Sequence, residues 1–391
     1  QPVPLHPLLR TFTSLRHRDF RLLVSGLIMA MSGFWIYIVA QSWLVLELTN
    51  SPLMLGIAGA ANSVPFLIFG LLAGVLADRA DRRMMIIVTR SIATLCMALM
   101  AALAWTGIIE LWHILVLAVV FGTASAFDLP SRQALVPVLV EKHELANGIA
   151  ITFATFNTTT IIGPAVGGLL LGTIGTGGAF ALAAIGNAAM VAMMILMRTP
   201  KRLDPPAQRS IWGELMEGLR FVLHTEVVLT ILIMSLISVI LAWPYQTLMP
   251  VFARDILEIG ASGLGLMLGA VGVGALLGSL AVAALGDSRK RSPLLFGGAI
   301  GTGLALIGFA LSTWVPLSIA LMLLVGASSS LFMTVNNTII LSMTPDELRG
   351  RIVSVTQVIW GLSPLGSIQA GALAMAFGAR FSVALGSGLS S

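Results

Sequence analysis

Apolar residues run along the chain in stretches of about 20 to 28 positions, each ended by a short charged cluster or by Pro and Gly. Roughly 20 such residues let a helix cross a hydrocarbon core, where a helix satisfies its own backbone hydrogen bonds. The pattern predicts spans at 19–48, 53–77, 84–106, 112–138, 145–173 and 177–197. Residues 198–222 then turn polar, carry three prolines and become amphipathic, which reads as a linker with a short surface helix. Spans resume at 223–252, 261–286, 293–313, 316–343 and 351–377, and the chain stops inside a twelfth. The predicted fold is an all-α integral membrane protein.

The two sides of that break repeat each other. Leu55-Gly56 and Asp78 return as Leu264-Gly265 and Asp287, while Gly122 and Glu144-Leu145 return as Gly326 and Glu347-Leu348. Phe180 and Phe381 keep a similar spacing. The organisation expected is a six-helix half at 1–197, a cytoplasmic linker at 198–222 and a second half at 223–391. Parallel repeats of this kind form substrate sites between the halves near the bilayer midplane. By the same spacing the twelfth helix would end about seven residues beyond Ser391, so it reads as truncated. Gln1 at the start reads as trimmed.

Composition narrows the class. Hydrophobic residues make up 57% and charged residues 10%, against about 25% charged in soluble domains, which excludes a soluble enzyme, a nucleic-acid-binding domain and a disulfide scaffold. The pI near 10.1 does not point to DNA, because the net charge is only +5 and the basic residues sit between spans. With the N-terminus cytoplasmic, 20 of the 22 Lys and Arg residues fall on the inside, leaving Arg254 and Arg380 outside. That asymmetry predicts the orientation. Arg10, Arg16, Arg18 and Arg21 precede a first apolar run too long for a signal peptide. Cys96 is the only cysteine, so no disulfide forms within the chain.

Two ionisable residues lie inside the fourth span. Asp128 and Arg132 are four apart and share one helical face. Charge inside a membrane is costly unpaired and points to function. Asp128 either binds and releases a driving proton, or pairs with Arg132 or an arginine of 79–83 and stabilises one conformation. The structural pair is favoured, because a guanidinium so near holds a carboxylate in its charged form, and the two roles can coexist. Hydrogen-bonding and aromatic residues in other spans are Tyr37, Gln41, Asn62, Asn157, Thr160, Tyr245, Gln246, Asn336, Asn337, Gln357 and Trp360. Any single Asn or Gln is as well explained by a bond between helices. As a set, Tyr37, Gln41, Asn157, Tyr245, Gln246, Asn336, Asn337, Gln357 and Trp360 describe a cavity with few fixed charges, suited to a bulky, partly apolar small molecule.

The loop after the second span, Gly74-Val75-Leu76-Ala77-Asp78-Arg79-Ala80-Asp81-Arg82-Arg83, resembles the signature G-x-x-x-D-R-x-G-R-[RK] of the major facilitator superfamily, departing from it at Asp81. Gly74 would let two helices approach, and Asp78 with Arg79, Arg82 and Arg83 would form an ion-pair latch closing the cytoplasmic side. A solvated basic turn that only sets topology is the plainer alternative. In the fifth span, Gly163-Pro164-Ala165-Val166-Gly167-Gly168 matches the end of G-P-x-x-G-G, a pattern of the superfamily's antiporting exporters, although its earlier glycines are missing. Close packing of small residues is the alternative there. Residues 15–22 and 41–51 look like the opening of the exporter group that includes bacterial enterobactin exporters and macrolide-efflux proteins.

That resemblance covers essentially the whole chain and implies twelve helices in two pseudo-symmetric halves. It also implies a monomeric inner-membrane transporter expelling a drug-like or siderophore-like compound in exchange for protons, with small molecule, protons and lipid as partners and no nucleic acid. An uptake symporter or facilitator of the same fold, or a receptor or assembly factor, are the rival readings. Enzymatic patterns and cofactor motifs are not found: His143-Glu144 lacks the second histidine of H-E-x-x-H, and there is no G-x-S-x-G elbow. Without a Walker A motif, ATP is not the expected energy source.

Overall fold

Each predicted apolar run is a helix. The computed structural model describes residues 13–79, 81–198, 220–285, 291–345 and 348–390. The spans are α1 (Arg18–Thr49), α2 (Pro52–Arg79), α3 (Arg82–Thr106), α4 (Leu111–Leu139), α5 (145–174), α6 (176–196), α7 (Glu226–Ile256) and α8 (Gly260–Leu285). There follow α9 (Arg291–Leu311), α10 (Val315–Met343), α11 (Arg349–Gly361 continued by Ser363–Phe377) and α12 (Ala379–Ser390). Ten helical segments among the described residues are long and apolar enough to cross a membrane, and one of them, 142–196, is broken at Gly175 into two passes. The linker and surface helix expected at 198–222 fall largely at 199–219, outside the described residues.

Local chemistry sets the turns. Asn50, left-handed at φ 48, ends α1 with its N–H on the Leu46 carbonyl, and Pro52 opens α2. Gly175 (φ 70) and Gly378 (φ 90) make the breaks between α5 and α6 and between α11 and α12, in a backbone region a side chain would strain. Asp81 caps α3, accepting from the backbone N–H of Arg83 at 2.9 Å and Met84 at 3.2 Å. This is why Asp stands where the superfamily signature has Gly: the turn here is a helix cap. Odd-numbered helices rise from the face where α1 begins to the far face. Trp105, Trp112 and Trp314 are exposed at the far face, as expected for rings at a membrane interface.

The duplication is visible in the packing. A side chain at Gly122 of α4 would strike the Asn62 carbonyl of α2, and one at Gly326 of α10 would strike the Val271 carbonyl of α8. Gly186 of α6 meets Met29 of α1 as Gly386 of α12 meets Leu241 of α7. The contacts between halves are paired in the same way. Gly168 of α5 lies against Gly265 of α8, and Gly56 of α2 against Ser367 and Ile368 of α11. Backbones touch at these crossings, so small residues are required there. Both lie toward the far face, and the α5–α8 contact continues to Gly272 against Ile161 near mid-helix. Arg254 of α7 also donates to the Leu46 carbonyl of α1 at 2.8 Å, at the far-face ends of the two helices.

Candidate functional site

In the first half, α3, α4 and α6 meet around one carboxylate. Arg90 of α3 donates through Nε to Asp128 Oδ1 at 2.9 Å and through a terminal nitrogen to Oδ2 at 2.5 Å. Arg132, one turn along α4, donates through Nε to Oδ2 at 2.6 Å. The second terminal nitrogen of Arg90 donates to Asn187 Oδ1 of α6 at 2.9 Å, and the Asn187 amide donates to the Ala183 carbonyl at 3.0 Å. Arg90 is 5% exposed and Asp128 3%. A two-pronged guanidinium–carboxylate pair is the strongest geometry such an ion pair takes, and burial makes breaking it costly.

Arg90 corrects the sequence reading in two ways. It was counted among inside-facing charges that set topology, yet it is buried within α3. Of the arginines at 79–83, Arg82 donates to the Ala134 carbonyl at 2.5 Å, and Arg83 to the carbonyls of Met194 at 2.7 Å and Ile195 at 2.8 Å, and none of these bonds is to Asp128. These bonds tie α3 to the ends of α4 and α6 within one half, and Arg83 meets unpaired carbonyls at a helix C-terminus. The side chains of Asp78 and Arg79 and the surroundings of Gly74 lie outside the described residues.

The G-P-x-x-G-G segment has two faces. Gly163 abuts the Trp35 side chain and Gly167 the Ile36 backbone of α1, while Gly168 meets Gly265 of the other half; Pro164 is buried between them. One short motif therefore seats α5 on its own half and on the opposite one.

The second half holds a cleft between α7, α9, α10 and α11. It contains about 650 Å³ of non-atom space, a figure that includes its open side. Ser235, Trp243, Phe332, Asn336, Asn337 and Trp360 line it, with Thr302, Ser329 and Thr356 adding hydroxyls. Trp243 and Trp360 stand edge to face with ring centres 5.1 Å apart. Among the described residues the lining carries no charged side chain. The α7 wall is a π-helical segment, Ser238–Ala242, closed by the Trp243 N–H on the Ser238 carbonyl at 2.8 Å and followed by Pro244. The wider turn is favoured locally because Pro244 offers no N–H to the regular ladder, and such segments recur at functional sites.

Of the nine expected cavity residues, the structure gathers Asn336, Asn337 and Trp360 here. Tyr37, Gln41, Asn157, Tyr245 and Gln246 do not line it. Tyr37 is 0% exposed and Gln41 3%. The Tyr37 hydroxyl donates to Asn62 Oδ1 at 3.1 Å and the Asn62 amide to Gln41 Oε1 at 2.8 Å, so all three form an α1–α2 ladder and not a cavity wall. Tyr245 is buried, Gln246 half-buried and Asn157 exposed, none of them on the cleft; Gln357's side chain is outside the described residues. Sequence reading missed Arg90, Asn187, Trp243 and Ser235. Arg90 left a usable signal, a charge nearly two turns inside the predicted span 84–106. The other three are ordinary in any apolar helix.

A family model described as transmembrane secretion effector matches residues 9–389. The multidrug efflux pump Tap of Mycolicibacterium fortuitum is 30% identical over 380 residues, covering 94% of this chain and 91% of that protein. The staphyloferrin A transporter of Staphylococcus aureus is 25% identical, covering 88% and 87%. A crystal structure of a bacterial homologue of the human lysosomal transporter spinster, inward-facing and unoccupied, superposes with a TM-score of 0.73 at 15% identity over 92% of this chain and 83% of that one. With its apolar helices and bacterial efflux-pump relatives, the protein is a multi-pass protein of the bacterial inner membrane. A match this complete, on a duplicated helical bundle with glycine-lined crossings between its halves, means that the chain belongs to the transmembrane secretion effector family of the major facilitator superfamily.

Proposed function

We propose that the protein exports a bulky, partly apolar small molecule, drug-like or siderophore-like, in exchange for protons, with residues 1–197 and 223–391 rocking about the linker 198–222 as a monomer with a cytoplasmic N-terminus. The observation that carries this reading is the placement of the close crossings between the halves. Gly168 on Gly265 and Gly56 on Ile368 hold them together toward the far face, as an alternating-access transporter does when it is open to the opposite side. Efflux pumps and siderophore transporters among the relatives support the direction and the cargo class. The latch formed by Asp78, Arg79, Arg82 and Arg83 would close the N-terminal face in the other state.

For Asp128 the geometry favours the structural role. Both carboxylate oxygens are occupied by guanidinium donors, so a proton finds a place there only after the cluster opens. The test is efflux from proteoliposomes under an imposed pH gradient, with cationic, neutral and anionic compounds, for the wild type, Asp128→Asn, and a triple variant that adds Arg90→Gln and Arg132→Gln. Gradient-driven efflux in the wild type is expected, with rescue in the triple variant, because both arginines lose their partner with Asp128. Passive exchange retained by Asp128→Asn, with driven efflux lost and not rescued, would assign proton carriage to Asp128 instead. No flux of any compound would overturn the transport reading.

A further inference from the structure

The cleft in the second half contains an acceptor with nothing to accept. Asn336 is 4% exposed, and its Oδ1 is buried without a hydrogen-bond partner among the described residues. Its orientation follows from its neighbours. The Ser235 hydroxyl donates to the Ile231 carbonyl at 2.9 Å and, in that arrangement, accepts from Asn336 Nδ2 at 2.9 Å. The amide oxygen is then the atom left over. A buried acceptor left unmade is costly, and a native structure rarely keeps one that nothing fills.

The surroundings define what would fill it. Trp243, Trp360 and Phe332 supply apolar ring surface, and no charged side chain stands among the described lining residues. An acidic ligand would bring its negative charge to an unpaired oxygen in a site with no cation to match. A hydroxyl or amide N–H on a flat apolar body would meet both the oxygen and the rings. The duplication sharpens the point, since the register linking Gly122 with Gly326 places Asn336 at the position of Arg132 and Phe332 at that of Asp128. Where the first half holds an ion cluster, the second has an open cleft with no charged side chain among its described lining residues.

We propose that this cleft is a ligand subsite selecting molecules with a planar apolar body and a neutral hydrogen-bond donor, and rejecting acidic ones. It rests on the export reading and, of its two cargo classes, takes the drug-like one over an acidic chelator.

Three probes sharing one skeleton test it: 1-hydroxypyrene, 1-methoxypyrene and pyrene-1-carboxylate. Binding to purified full-length protein in nanodiscs is read by energy transfer from tryptophan, with empty nanodiscs subtracted for partition into lipid. The hydroxy probe is expected to bind about tenfold tighter than the methoxy probe, the size of one good hydrogen bond, with the carboxylate weakest. Asn336→Leu should erase the preference. Ser235→Ala keeps the apolar walls but frees the amide to turn its N–H toward the ligand, so it should narrow the preference by strengthening the methoxy probe, which a merely structural amide would not do. Equal binding of all three probes to the wild type, or a preference surviving in both variants, overturns the subsite. Flux of 1-hydroxypyrene in proteoliposomes separates the two readings. Selective binding with no flux of this probe or of any compound in the efflux panel rejects export alone, and flux without an Asn336-dependent preference rejects the subsite alone.

Discussion

The two halves are built on one plan and finished differently. In the first, α1 runs unbroken for 32 residues and the α3–α4–α6 junction is cross-linked by Arg90, Asp128, Arg132 and Asn187. In the second, α7 is interrupted by two π-helical segments and the corresponding stretch of α10 carries Phe332 and Asn336 beside an open cleft. Both halves keep the same glycine crossings, so the fold does not depend on what fills the junction. A duplicated scaffold can thus carry a buried ion cluster in one copy and an uncharged cleft in the other by changing a few side chains.

The sharpest way to break this contrast is to empty the ion cluster. Asp128→Leu strands two buried guanidiniums and should cost roughly 3–5 kcal/mol, read as a fall in thermal stability in detergent, whereas replacing Arg90 and Arg132 by Met in the same protein should recover most of it. Asn336→Leu, at the register of Arg132 in the other half, should change stability by less than about 1 kcal/mol, because it removes an unsatisfied acceptor along with one bond. A cost for Asn336→Leu as large as that for Asp128→Leu would end the distinction between the ion cluster of one half and the cleft of the other.

Next in size are the crossings the halves share. Gly168→Leu should destabilise by about 1–3 kcal/mol through overpacking and abolish flux, since its neighbour is backbone that cannot yield. Gly297→Ala, where nothing lies within contact distance, serves as the control and should be neutral or stabilising by up to about 1 kcal/mol. Tyr37→Phe removes one bond of the α1–α2 ladder and should cost about 1 kcal/mol with flux and probe binding unchanged, because that ladder is remote from the cleft. The smallest effect is expected for Asp81→Gly, a few tenths of a kcal/mol, since Gly is also an acceptable cap. A large loss of flux in Asp81→Gly without a loss of stability would show that Asp81 acts beyond capping.

Legibility followed the range of each interaction. The break at Gly175 was anticipated because residues 173–177 interrupt the apolar pattern locally, and the duplication because Gly56, Gly122 and Asp78 recur at nearly constant spacing. The Asp128–Arg132 pair was legible because one helical turn separates its members. Arg90 lies 38 residues from Asp128 and Asn187 lies 97 from Arg90, so no local pattern joins them. Tyr37 and Asn336 show the same limit from opposite sides. Both are polar residues inside apolar spans, and sequence could not tell that one faces Asn62 across a helix pair while the other opens on a cleft.

What the sequence alone determined is what depends on hydropathy and on short spacings: the apolar spans and their lengths, the membrane as solvent, and a carboxylate buried within one helix. Which helices touch was decided only in three dimensions. An apolar helix in lipid has no unique face to bury, so partners are chosen by small residues meeting at crossings such as Gly168 on Gly265 and by polar groups that must find one another away from water. For the same reason only tertiary structure showed that Asp128 is held by two arginines, and that Asn336 keeps one acceptor free.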